Sequence, residues 1–184
     1  MKVNYQKMMK IAVFCSANEA IDPDFFELTE ELGQWMARNG HELVFGGCNL
    51  GLMESIGKAV HQAGGRTIGM IPTIIEQNGQ VSDYVDVNMP CADLSDRKEI
   101  MLAQADAIIA LPGGIGTLDE IFTVAAGRTI GYHRKPIILY NMKGFWSSLI
   151  DLLDDMQERG VIRGHWSDYL TVANSLDDIK SIMA

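Results

Sequence analysis

The chain has 184 residues, of which 47% are hydrophobic and 21% charged, so residues 1–184 are expected to form one globular domain with a buried core. The formal net charge of −9 argues against a nucleic-acid or anionic-membrane surface, because both are bound through an excess of lysine and arginine. Glycine is in excess, with 18 of 184 residues, or about 10%, against a usual share of roughly 7%. The positions of these glycines therefore need an explanation.

The cysteine pattern and the N-terminal segment predict a soluble, cytoplasmic protein. Cys15, Cys48 and Cys91 are an odd number without a C-x-x-C pair, which favours reduced, buried thiols over disulfides or a zinc site. The first ten residues precede an apolar run at 11–14 that is too short for a signal peptide, and no segment approaches a membrane span. The histidines lack metal-binding spacing, so no metal is expected.

Apolar runs typical of buried strands alternate with helical periodicity along the whole chain. Strands are predicted at 11–14, 43–45, 66–71, 84–87, 107–111, 136–140 and 170–173. Helices are predicted from the Asp22-Pro23 pair up to Gly40, and at 50–63, 94–104, 117–130, 146–156 and 176–183. Strands that are apolar throughout, each followed by a helix, predict an α/β fold with a doubly wound, mostly parallel sheet and helices on both faces.

Two glycine clusters follow predicted strands and enter predicted helices: residues 46–51 (GGCNLG) and 112–117 (PGGIGT). In an open α/β sheet, ligands bind at this edge, where the free N–H groups of a helix start attract an anion. A single cluster is equally well explained as a tight turn. Two clusters at one edge favour a phosphate site.

The spacing within the clusters limits the choice of phosphate ligand. The first cluster continues into Leu52-Met53 where a Walker A loop needs lysine and serine or threonine. The second cluster lacks the third glycine of a dinucleotide-binding fingerprint. A mononucleotide is therefore the better prediction.

Charged residues flank the second cluster. Asp119 and Glu120 are predicted in the first turn of the following helix, where carboxylates suit the helix dipole. Glu120 lies three residues after Thr117, on the same side of the helix, so it is placed to hold ribose hydroxyls, orient water or stabilise a ribosyl cation. Upstream, Arg97 and Lys98 are either solvated or bind an oxyanion.

The segment PGGIGTLDE at 112–120 resembles the PGG-x-GT-x-x-E motif of the LOG (LONELY GUY) family, formerly labelled lysine decarboxylase-like. The Arg97-Lys98 pair, the glycines at 46–51, Ile71-Pro72 and the segment 133–136 fit the order of the family's motifs. The resemblance covers roughly residues 10–160. It implies a Rossmann-like homodimer that cleaves the N-glycosidic bond of cytokinin riboside 5′-monophosphates, or AMP, to free base and ribose 5-phosphate.

The resemblance also implies site residues. Arg97 and Glu120 correspond to the catalytic pair, and no metal or organic cofactor is implied. The implied substrate-binding residues are Gly46, Gly47, Met53, Lys98, Gly113, Gly114, Gly116 and Thr117.

The chain departs from the family pattern at several positions. Ser16, Cys48 and Glu54 stand where the family usually has glycine, and Gly127 stands where tryptophan is frequent. These departures motivate an alternative, a non-catalytic nucleotide-binding or carrier protein of the same fold. A lysine decarboxylase would need a Schiff-base lysine for pyridoxal phosphate, and no lysine in the sequence carries a signal for that role.

Overall fold

A computed structural model describes residues 7–184, and its seven strands form one sheet in which every neighbouring pair is parallel. The strands are β1 (Lys10–Phe14), β2 (Glu42–Phe45), β3 (Thr67–Pro72), β4 (Val87–Cys91), β5 (Ala107–Ala110), β6 (Ile137–Tyr140) and β7 (Thr171–Ala173). After the polar first residues of β1 and β2, the central strands are apolar and buried, because both faces of the sheet are covered.

Helices pack on both faces of the sheet. They are α1 (Pro23–Arg38), α2 (Gly51–Gln62), α3 (Thr73–Gln77), α4 (Leu94–Gln104), α5 (Ile115–Thr129), α6 (Ser147–Glu158) and α7 (Leu176–Ile182). Alternate residues of β1 enter two core clusters, one under α1, α2 and α7 and the other under α4, α5 and α6. Across residues 7–184, every helix falls short of the length and hydrophobicity that a membrane span requires.

The strand order is β4-β3-β2-β1-β5-β6-β7, so the chain builds outward from β1 in one direction and then returns to its other side at β5. Ligands of doubly wound sheets bind at such a reversal, outside the carboxyl ends of the strands. This order confirms the predicted fold class. It also places the loops that follow β1, β2 and β5 next to one another.

Several predicted boundaries are wrong. The strand expected at 84–87 lies at Val87–Cys91, because β4 is an edge strand and tolerates Pro90, whose missing N–H would break a central strand. The short helix α3 was not predicted, and Trp146 is the N-cap of α6 instead of a helical residue. The absence of a signal sequence was inferred partly from residues 1–6, which lie outside the described residues.

Helix α5 begins at Ile115, two residues before the predicted start, with Gly114 as its N-cap. Asp119 and Glu120 therefore lie in the second turn, and the expectation that they occupy the first turn is wrong. The early start has a packing reason: a Cβ at Gly113 would collide with the Thr117 hydroxyl, so the loop folds directly onto the helix it precedes.

Candidate active site

A pocket of ≈ 240 Å³ lies at the carboxyl edge of the sheet, between the loops that follow β1 and β5 and the starts of α2, α4 and α5. We call it the central pocket. Its lining residues are Cys15, Ser16, Ala17, Met53, Leu94, Arg97, Lys98, Gly114, Gly116, Thr117, Asp119 and Glu120. A larger cavity of ≈ 340 Å³ lies between α1 and α2 and contains none of the predicted site residues.

Arg97 and Glu120 form an ion pair in the wall of the central pocket. Arg97 Nη2 donates to Glu120 Oε1 at 2.5 Å, and the side chains are 13% and 8% exposed. Arg97 Nε is also buried and has no hydrogen-bond partner within the described residues. Charged groups are rarely buried without a partner, and here each side chain of the pair neutralises the buried charge of the other. The Nε donor of the guanidinium is still unused.

Burial raises the pKa of Glu120 above the usual range of a glutamate, although the neighbouring Arg97 guanidinium acts in the opposite direction. Burial also raises the pKa of the Cys15 thiol, and the charge of Glu120 adds to that effect. Cys15 is therefore a neutral, buried thiol at physiological pH and not an activated nucleophile. Glu120 is thus the carboxyl group of the pocket wall that burial makes harder to ionise.

Lys98, next to Arg97 on α4, is paired with Asp119 across the pocket wall. Its Nζ donates to both carboxylate oxygens of Asp119, at 2.8 and 2.7 Å, and to Thr123 Oγ1 at 3.2 Å. Two ion pairs therefore join α4 to α5, the buried Arg97–Glu120 pair and the more exposed Lys98–Asp119 pair. Together they fix the position of α5 relative to α4 at the pocket.

The start of α5 faces the central pocket without a side-chain cap from any described residue. The first N–H groups of a helix have no partner within the helix, and they carry the positive end of its dipole. Gly114 and Gly116 lack a positive φ, and a Cβ at either would meet no described atom within 4 Å. Packing within the described residues does not require glycine at these two positions, and the space beside them is open.

The glycines of the first cluster lie in a crowded environment. A Cβ at Gly46 would come within 2.7 Å of Met53 Sδ and 3.2 Å of Arg97 Cζ, so Gly46 lets the arginine lie against the backbone. Gly47 has a φ of +69° and packs on Ile71, and it is not among the residues that line the pocket. Gly51, with a φ of +58°, packs on the backbone of residues 17 and 18.

The structure thus brings together most of the predicted site residues. Around the central pocket lie Met53, Arg97, Lys98, Gly114, Gly116, Thr117 and Glu120. Gly46 and Gly113 lie directly behind this wall, against Arg97 and Thr117, and Gly47 lies apart from it. The described residues contain no cluster of histidine, cysteine or acidic residues that could hold a metal ion.

Sequence reasoning missed the contribution of the loop after β1. Cys15, Ser16 and Ala17 line the pocket because β1 lies between β2 and β5 in the sheet. The usable signal was the position of these residues at the end of an apolar strand, which in parallel sheets is the ligand-binding edge. That signal alone does not reveal which loops are neighbours, since strand order depends on tertiary pairing.

Comparisons with known proteins identify the family of the chain. The family model described as "Possible lysine decarboxylase" matches residues 53–183. Cytokinin riboside 5′-monophosphate phosphoribohydrolase LOG7 from Arabidopsis thaliana is 35% identical over 162 residues, which are 88% of this chain and 75% of that protein.

Solved structures share the fold over almost the whole chain. The molybdenum cofactor binding protein from Rippkaea orientalis superposes with a TM-score of 0.71 at 27% identity, covering 97% of this chain and 99% of that one. The molybdenum cofactor carrier protein from Chlamydomonas reinhardtii has the same fold, with a TM-score of 0.72 at 23% identity and 96% coverage of both chains. From the family match and the LOG7 identity, we conclude that the chain belongs to the LOG family.

Proposed function

We propose that the protein hydrolyses the N-glycosidic bond of a nucleoside 5′-monophosphate, a cytokinin riboside monophosphate or AMP, to free base and ribose 5-phosphate. The observation that carries this proposal is the buried Arg97–Glu120 pair beside the uncapped start of α5. An anion-binding helix start and a buried carboxylate in one pocket match the two ends of a ribose 5-phosphate group. The family's LOG members named as phosphoribohydrolases support the same reaction.

The phosphate is placed on the backbone N–H groups at the start of α5. The open space beside Gly114 and Gly116 admits phosphate oxygens, and the Thr117 hydroxyl lies in the same wall. A helix start supplies hydrogen-bond donors and a favourable dipole. Such a site works in a chain of net charge −9, since it depends on local backbone dipoles and Arg97 and not on the overall charge.

Glu120 then lies on the ribose side of the phosphate, three residues further along the same helix than Thr117. Hydrolysis breaks the bond between C1′ and the base nitrogen; the bonding electrons leave with the base, which takes up a proton. The oxygen of water bonds to C1′ and keeps one proton as the new hydroxyl, while its other proton is released and balances the proton that the base takes up. In its ionised form, Glu120 stabilises the positive charge that develops on the ribosyl group and orients the water, and Arg97 keeps the carboxylate ionised and in position.

The description of the family model raises lysine decarboxylation, which uses pyridoxal phosphate bound through a lysine amine. Lys98 is the lysine that lines the central pocket, and its Nζ is held by both oxygens of Asp119 and by Thr123. A Schiff base needs a free amine, and this amine is engaged by three hydrogen bonds. The residues therefore do not fit this cofactor.

A second candidate function is binding or carriage of a phosphorylated ligand without cleavage. The favouring observation is the similarity to the molybdenum cofactor binding protein from Rippkaea orientalis, which extends over 97% of this chain at 27% identity. The same helix start and Arg97 would hold the phosphate of such a ligand. The two functions differ in what Glu120 does, because a carrier needs no carboxylate beside C1′.

The deciding experiment incubates the protein with AMP and with isopentenyladenosine monophosphate and measures free base by chromatography. We expect base release that falls about 1,000-fold in Glu120→Gln, while affinity measured by calorimetry changes little. Glu99→Gln, an exposed glutamate of α4, is the matched control and should retain full activity. Tight binding of intact ligand without base release would instead establish the carrier function.

We also propose a homodimer, which the LOG resemblance implies. Light scattering on the purified protein tests this directly. A mass equal to one chain of 20.3 kDa under conditions in which the protein is active would contradict it.

A further inference from the structure

A second cavity adjoins the central pocket on the other side of the loop after β5. It has a volume of ≈ 260 Å³ and is formed chiefly by Ile21, Phe25, Pro112 and Phe145. We call it the aromatic pocket. None of its lining residues within the described chain is charged. Pockets of this composition bind the flat, apolar part of a ligand, because ring burial removes apolar surface from water.

The two pockets share a wall. Ser16 and Gly114 line both of them, so the boundary lies at the phosphate-binding loop itself. Backbone hydrogen bonds hold this boundary in place: Ser16 N donates to Pro112 O at 3.0 Å, and Ser16 O accepts from Leu52 N at 2.9 Å. A ligand that passes from one pocket to the other must therefore cross beside Gly114, where a Cβ would meet no described atom within 4 Å.

The walls of the aromatic pocket are held by an unusual turn. Phe145 is 40% exposed and meets Phe25 edge to face, with ring centroids 5.7 Å apart. Just before it, Lys143 has a φ of 52°, and it is the non-glycine residue with a positive φ among residues 7–184. Its Nζ pairs with Asp22 at 2.9 Å and Asp24 at 2.5 Å, which fastens this turn to the start of α1. Such strained residues persist where their surroundings hold them firmly, often beside ligands.

We propose that the aromatic pocket binds a flat aromatic ring that an ester bond attaches to the 5′-phosphate of the nucleotide in the central pocket. The ligand class is thus an aryl 5′-phosphodiester of a nucleoside. The inference rests on the proposed position of the phosphate at the start of α5. The nucleoside lies toward Glu120, the phosphate lies at Gly114, and the ring continues past Ser16 to Phe145. A pyrophosphate link is disfavoured, because the lining offers no cation for a second phosphate.

The test compares the methyl and phenyl esters of AMP, which carry the same charge and differ in the ring. Calorimetry should show that the phenyl ester binds about tenfold more tightly than the methyl ester. Phe145→Ala should abolish this preference and leave the affinity for AMP unchanged, which also shows that the variant is folded. Phe122→Ala, which removes an exposed phenylalanine of α5 outside both pockets, should retain the preference.

Equal affinities of the two esters for the unaltered protein would overturn the inference. It would also be overturned if Phe145→Ala weakened AMP and the phenyl ester by the same factor, since the base of AMP would then occupy this pocket. Phe145→Leu, which keeps an apolar side chain but no ring, should reduce the preference to below about threefold. Because affinity is measured apart from base release, AMP that binds without hydrolysis contradicts the proposed reaction and not this inference.

Discussion

The two glycine clusters have similar sequences but differ in what requires their glycines. In the cluster after β2, Gly47 and Gly51 have positive φ angles, and a Cβ at Gly51 would lie 2.6 Å from the backbone carbon of Ala17. In the cluster after β5, Gly114 and Gly116 have no positive φ and have open space beside them. The fold itself requires glycine in the first cluster. In the second, neither a positive φ nor packing within the described residues requires glycine at these two positions.

This difference separates the two interpretations that the sequence left open, a tight turn and a phosphate site. Packing or backbone geometry requires glycine at positions 46, 47 and 51, so substitutions there are expected to lower the stability of the fold. Neither requires glycine at positions 114 and 116, so substitutions there are expected to affect ligand binding instead. Substitutions in each cluster test this separation.

The largest effect is expected at Gly51. Gly51→Ala places a Cβ against the backbone of residues 17 and 18 and forces alanine into a left-handed conformation. We expect the free energy of unfolding to fall by about 3–5 kcal/mol, measured by urea denaturation. A variant as stable as the unaltered protein would show that the first cluster is not required by packing.

In the second cluster, Gly116→Asp should act on function alone. A carboxylate in the first turn of α5 interacts favourably with the helix dipole, and replacing glycine raises the helix propensity. The free energy of unfolding should therefore stay equal or rise by about 1 kcal/mol. The same charge repels a phosphate, and we expect AMP affinity to fall at least about 100-fold. Gly127→Ala, further along α5, is the control and should bind AMP normally. Unchanged AMP affinity in Gly116→Asp would show that the phosphate does not bind at this loop.

The pH dependence of base release tests the carboxylate that follows this loop. Because burial raises the pKa of Glu120, the carboxylate is lost as the pH falls through a value above the usual glutamate range. Activity should therefore decline about tenfold per pH unit below that value. In Arg97→Gln the positive charge that favours the ionised form of Glu120 is missing, so the pKa of Glu120 should rise further. Any residual activity should therefore begin to decline at a higher pH. A profile that starts to decline only at the pKa of an ordinary glutamate would contradict the assignment.

The smallest effect is expected at Gly64, which has a φ of +81° and where a Cβ would meet no described atom within 4 Å. Gly64→Ala should therefore cost only the left-handed conformation, about 1 kcal/mol, in the same denaturation experiment. Subtracting this value from the loss in Gly51→Ala isolates the contribution of the steric clash. Equal losses at the two positions would mean that backbone conformation, and not packing, explains the first cluster.

Local patterns were sufficient for most elements of the fold. Asp22 caps α1 as predicted and Pro23 occupies its first turn, because both effects depend only on neighbouring residues. The apolar runs of β5 and β6 are buried strands, since a sheet covered on both faces needs apolar residues at every position. β4 was misplaced because Asn88 and Pro90 disfavour a strand in isolation, and only its edge position makes them acceptable.

For the site, the sequence placed Arg97, Glu120 and Thr117 near one loop, and the structure brings all three to the central pocket. The sequence did not place Ser16 or Phe145 near that loop, because their positions depend on strand order and on the turn at 142–144. The start of α5 was also missed, because the residues Gly-Ile-Gly have poor helix propensity. The position of this start depends on the close approach of Gly113 to Thr117, which the sequence pattern does not reveal.

The ion pair in the central pocket has a consequence for how this fold diversifies. Arg97 and Glu120 are separated by 23 residues and come from one contiguous unit, α4–β5–α5. Other residues that line the two pockets, among them Ser16, Met53 and Phe145, come from segments outside that unit. Under the proposed function, the pair assigned to the reaction and these pocket-lining residues are therefore encoded in separate stretches of the chain. Substitutions at Ser16 or Phe145 leave Arg97 and Glu120 themselves unchanged, so a single scaffold can alter the residues that contact its ligand and keep the ion pair.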